Sequence, residues 1–256
     1  MVGADEDRWL QVDDIFLRDS LAGLLSEYRR SAEDFQYGLE QSSSDYGLMV
    51  VKQRYLIDAA AIIESTSVIL DHQEISSAAS RLRSAAWSQL DDSDLEGFLK
   101  HKNILSKDWS CFLRSRLESA AKNAKWIAIL SNKELKETSD PGHSALKFLL
   151  DIVLGLPIGP WECASCLSMN GNCRDCEYGR AHGKCSLPES DYGTLKDSSE
   201  TIIQDIRKNL AERRWISGAE YHKHQTEAQF GSISEPAFSI SESDICREYD
   251  LVGAFD

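Results

Sequence analysis

The chain has 256 residues, of which 42% are hydrophobic, and a net charge of -14. This is long and apolar enough for one large or two modest cores, which excludes wholesale disorder. The charge repels phosphate backbones at long range and disfavours non-specific nucleic-acid binding by the molecule as a whole. The acidity is concentrated at the ends: residues 1–50 carry -7 and residues 231–256 carry -5, leaving the body nearly neutral.

The opening "MVGADEDRW" has neither the basic nor the apolar region of a secretory signal. The most apolar run, residues 145–159, is broken by Lys147, Asp151 and Pro157 and falls short of the roughly 20 residues of a membrane span. A cytoplasmic protein is expected. In a reducing compartment its cysteines read as metal ligands or core residues rather than disulfides.

Apolar residues recur at three- and four-residue steps through most of the chain. The first predicted helix runs from about Asp13 to Glu40, with Ile15, Phe16, Leu21, Leu24, Leu25, Tyr28, Phe35 and Leu39 as its core stripe. Asp45 reads as the N-cap of the second, over about 46–72, whose two apolar sets (Leu48, Val51, Tyr55, Ala59, Ile62, Ile69; Leu56, Ile63, Leu70) predict burial on more than one side. "SSAASRLRSAAWSQL" is a shorter helix. "DDSDLEGFLKHK" opens another, with Ser93 and Glu96 at capping-box spacing. Ser106 caps a long helix over about 107–133 with the stripe Trp109, Leu113, Leu117, Ala120, Ala124, Ile127 and Ala128. Asp140 followed by Pro141 starts the next, which ends at Gly155. Asp197 and Glu200 suggest a capping box for a last helix through about Arg213. The final forty residues contain "SISE" twice and alternate apolar with polar residues, as an extended acidic tail with two short strand-like pieces would.

Between the last two helices lies "WECASCLSMNGNCRDCEYGRAHGKC". Each C-x2-C pair lets two thiolates face one ion across a tight turn, and two pairs supply a tetrahedral four-sulfur Zn2+ site. Gly171, Gly179 and Gly183 suit the turns. Six ligands are available: Cys163, Cys166, Cys173, Cys176, Cys185 and His182. The two pairs come first. Replacement of one member by Cys185 or His182 is the next choice, and a 4Fe-4S cluster is the competing cofactor. Four thiolates leave no open position on zinc, so such a site is structural.

Paired C-x2-C knuckles followed by a lone cysteine resemble short cysteine-rich segments of uncharacterised prokaryotic and phage proteins. In those a proline often follows the second pair, where this chain has Glu177. The resemblance is one of spacing over about 25 residues. It implies a metal-binding knuckle and carries no activity with it.

Other constellations point less sharply. Residues 98–136 hold nine bases against three acids, and Lys107, Arg114, Lys122 and Lys125 make a candidate anion or nucleic-acid face. The competing reading is a solvated face, or a docking surface for the protein's own acidic ends. His222 and His224 form a two-residue metal pattern without a third ligand. Asp58, inside an apolar helix, has Arg54 as a nearby partner. There is no Walker A loop, dinucleotide-binding glycine pattern, H-E-x-x-H or G-x-S-x-G, and no catalytic residue is nominated.

The expected fold is mainly α. Residues 1–156 form a helical bundle, 157–190 a cysteine-rich metal-binding loop, 191–216 a helix packing back on the bundle, and 217–256 an extended acidic tail. The expected function is that of an intracellular interaction or regulatory protein with a structural zinc knuckle and a protein partner. The alternatives are a nucleic-acid-associated subunit using the 107–125 face, and an iron–sulfur protein or enzyme.

Overall fold

A computed structural model describes residues 6–90, 105–169, 176, 184–185 and 187–214, with side chains placed from Ile15 to Ala211 within those stretches. The helix predicted from "DDSDLEGFLKHK" and the acidic tail, with His222 and His224, lie outside the described residues. Among the described residues every regular element is helical. They are α1 (Glu6–Gln41), α2 (Asp45–Ile69), α3 (Gln73–Leu90), α4 (Lys107–Glu137), α5 (Pro141–Leu154), a 3-10 turn (Pro160–Glu162), α6 (Ala164–Ser168) and α7 (Asp191–Arg214). None is long and apolar enough to cross a membrane.

Short connections make α1 and α2, α2 and α3, and α4 and α5 neighbours. In space α1 lies between α4 and α2, α3 packs on α2, α7 on α3, and α5 on α7 and α4, which closes a ring. α5 also touches α1 and α2. At that meeting point Phe35 stacks on Tyr55 at 4.4 Å and Tyr28 meets Phe148 edge-on at 5.5 Å. The Tyr28 and Tyr55 hydroxyls share a 2.9 Å hydrogen bond, which satisfies two polar groups sealed in the core.

Several predicted signals act as expected. Ser106 accepts from the Trp109 amide, Asp140 accepts from the His143 amide, and Gly155 closes α5. Both apolar sets of α2 contribute buried residues, among them Leu48, Tyr55, Leu56, Ile62 and Ile63.

Other signals are displaced. Ser44, not Asp45, caps α2 by accepting from the Gly47 amide. Asp45 is buried in the first turn, where it accepts from the Leu105 amide at 3.2 Å and the Ser110 hydroxyl at 2.7 Å. The carboxylate thereby sits at the favourable end of α2 and ties that end to the start of α4. α7 begins at Asp191, six residues before the expected Asp197 box, because Ser190 accepts from the Gly193 amide at 2.9 Å. Ile15 and Phe16 are exposed although their spacing placed them in the core stripe.

Candidate metal centre

The cysteine segment is mounted on a rigid base. At Gly155 a side chain would come within 2.9 Å of the Asn123 amide, so the bare glycine lets the end of α5 pass against α4. The chain then turns through Pro160–Glu162, where Trp161 meets Phe112 edge-on at 5.8 Å, and Phe112 meets Trp109 at 5.6 Å. Beside this aromatic file the Glu162 carboxylate is buried, and it accepts from Arg116 Nε at 2.8 Å and from the same guanidinium's NH2 at 2.5 Å. Gly159 makes room for it: a Cβ there would lie 2.4 Å from the carboxylate.

A second anchor comes from α2. The buried Lys52 donates from Nζ to the Glu162 carbonyl at 3.0 Å. Burial lowers its pKa, and the neighbouring Cys163, Glu162, Cys166 and Cys185 pull it partly back up. The Lys52 amine thus stands beside the thiols, inside the protein.

Cys163 occupies the N-cap position of α6 and Cys166 lies within that helix. This is the local form a C-x2-C pair takes: both sulfurs face one way across a single turn. The Cys166 thiol and the backbone N–H groups of Cys166 and Ser165 hydrogen-bond to the Cys163 sulfur. Those bonds, aided by Lys52, lower the Cys163 pKa against the opposing effect of burial. The Cys166 pKa is pushed up, first by its bond to Cys163, then by burial and by the charges of Cys163, Cys185 and Cys176. The bond between the two thiols thus moves their pKa values in opposite directions, Cys163 down and Cys166 up. Tyr192, in the first turn of α7, is raised by burial and then by Cys166, Cys163 and Cys185.

Of the six candidate ligands, Cys163, Cys166, Cys176 and Cys185 are thus neighbours in space. Cys173 and His182 lie outside the described residues. No disulfide joins the described cysteines, and no group of three or more His, Cys, Asp or Glu among the described residues is set in ligand geometry around an ion. Sequence spacing alone missed Lys52, Arg116, Glu162 and Tyr192. None of the four stands out in the sequence: Lys52 itself is followed by Gln53 and Arg54.

The basic face of α4 is divided. Lys107 and Lys122 are exposed. Arg114 turns inward, donating to the Leu39 carbonyl at 2.5 Å and to the Ser42 carbonyl, where it closes the C-terminal end of α1. Lys125 donates to the Gln36 side chain. Asp58 accepts from Ser31 at 3.3 Å and is raised chiefly by burial. A shallow groove between α3 and α7 is lined by Ser77, Ser84, Arg81 and Asp191, with no histidine or cysteine along it. No family model, curated protein or solved structure matches the chain.

Proposed function

We propose that this chain is a cytoplasmic interaction or regulatory protein, a helical scaffold whose cysteine loop is closed by one structural Zn2+. The observation that carries this reading is the Cys163–Cys166 pair, which feels the charges of Cys176 and Cys185 and stands beside the buried Lys52, although no three of these cysteines are yet set around one point. A four-thiolate zinc site holds more negative charge than the ion neutralises. An adjacent ammonium and backbone N–H donors to sulfur offset that excess. Thiolate character at Cys163 also lowers the cost of displacing protons when the metal binds. A closed coordination sphere gives no open position for substrate, so the metal's role is to hold the loop and the start of α7 in place.

Little supports the nucleic-acid alternative, because Arg114 and Lys125 are committed to α1. Anaerobic purification followed by elemental analysis tests the proposal. The expected result is a colourless protein with about one zinc per chain, lost when Cys163→Ser and Cys166→Ser are combined. Iron with visible colour would replace this reading with the iron–sulfur one, and a metal-free protein would overturn both.

A further inference from the structure

α4 turns an apolar face away from the bundle. Trp126 is 61% exposed, Ile129 50% and Leu130 59%. Their three- and four-residue spacing makes them adjacent on one side of the helix. Ala124, Ile127 and Ala128, on the opposite side, are buried. Single exposed apolar residues are ordinary, but a contiguous group marks a contact surface.

Exposed lysines frame the group. Lys122 lies one turn before Trp126, and Lys133 one turn after Ile129, with Lys136 beyond. None of the three forms an ion pair among the described residues. Glu118 and Glu137 lie about two and three turns from Trp126, and the nearer Glu134, one turn after Leu130, is paired with Lys147 at 3.1 Å. The occupant that fits is apolar and acidic.

Residues 238–256 have that composition. Phe238, Ile240, Ile245, Leu251, Val252 and Phe255 alternate with Glu242, Asp244, Glu248, Asp250 and Asp256, against one base, Arg247. Reach is no obstacle: residues 215–237 span up to about 80 Å when extended, and α4 is only about 46 Å long. A second copy fits less well, because a two-fold contact through this face sets lysines against lysines.

We propose that residues 238–256 dock on the outer face of α4 of the same chain. Their apolar side chains cover Trp126, Ile129 and Leu130, and their carboxylates approach Lys122 and Lys133. Because the segment is tethered, even weak contacts hold it at high effective concentration. The segment thereby masks this apolar face of α4, and an acidic, apolar partner segment competes for it.

The test places the photo-cross-linking residue benzoylphenylalanine at position 126 of the full-length protein, with the same residue at the exposed Arg29 position as control. The expected product has the mass of one chain, and its cross-linked peptide maps to residues 238–256. Lys122→Glu combined with Lys133→Glu lowers the yield about fivefold, as when two exposed ion pairs become repulsions. A product of twice the mass would overturn the proposal. So would a cross-link mapped elsewhere, a yield no higher than at position 29, or a yield insensitive to the charge reversals.

Discussion

Lys52 and Glu162, 110 residues apart, meet through a 3.0 Å hydrogen bond from the lysine ammonium to the glutamate's backbone carbonyl. The bond joins α2 to the residue before Cys163. Replacing Lys52 with Met keeps the apolar stem and leaves that carbonyl unpaired. The expected loss is about 1–3 kcal/mol in urea unfolding. In chelator-treated protein Cys163 should also react more slowly with a thiol reagent at neutral pH, because its thiolate loses a neighbouring cation. An unchanged thiol rate would mean that the ammonium does not act on the cysteine pair.

The Arg116–Glu162 pair makes an asymmetric prediction. The carboxylate is buried while the guanidinium is half-exposed. Arg116→Gln strands a buried charge and should cost about 1–3 kcal/mol, whereas Arg116→Gln with Glu162→Gln should recover much of it. Equal losses in the single and double variants, measured by denaturant titration, would show that the pair contributes through shape alone.

Tyr28 and Tyr55 set an alkaline limit. Burial raises both phenols above their ordinary value, first and foremost in each case. Unfolded-chain tyrosines ionise near pH 10 while these remain neutral. Their contribution to stability is therefore whole below about pH 10 and is lost as pH rises toward their folded values. Tyr28→Phe strands the Tyr55 hydroxyl at a cost of about 1–3 kcal/mol. The double variant Tyr28→Phe with Tyr55→Phe should lose less than the two singles summed, and should unfold at a higher pH than the native chain. A thermal-denaturation series from pH 8 to about 11 reads both effects.

Gly193 lies in the first turn of α7, where alanine normally favours a helix by about 1 kcal/mol. Here a Cβ would stand 2.2 Å from the Leu187 carbonyl. Gly193→Ala should therefore reverse the usual sign and lower Tm by several degrees, about 2–4 °C per kcal/mol lost. A raised Tm in a thermal melt would show that the turn before α7 yields freely.

Metal removal should act locally. If zinc closes the cysteine loop, chelation should raise amide exchange over residues 160–200 while the α1–α2–α5 centre stays protected. Uniform protection before and after chelation would dissociate the loop from metal binding.

The helical framework was legible because capping and periodicity are local. Ser106, Asp140 with Pro141, and Gly155 punctuate the chain as their chemistry requires, and the two apolar sets of α2 announced a helix buried on several sides. The misread positions depend on partners distant in sequence. Asp45 has the composition of a cap but reaches to Leu105 and Ser110, and Arg114 has the spacing of a surface cation but closes the end of α1. Ile15 and Phe16 lie off the buried line of α1 that runs through Leu21, Leu25, Tyr28, Ala32, Phe35 and Leu39, while Leu17 beside them packs on the core. The cysteines declared themselves by spacing. The charged residues beneath them did not, since no local pattern links a lysine in α2 to a loop over a hundred residues later.

The closure of the helix ring by α7 on α3 bears on synthesis. α3 ends at Leu90, yet α7, the helix that packs on it, begins about a hundred residues later, and its buried Ile202 and Ile206 later still. At about 5–20 residues per second, the ribosome leaves the apolar side of α3 uncovered for roughly 6–23 s. Nascent chains halted before residue 191 should therefore bind general chaperones, and chains extended past α7 should release them.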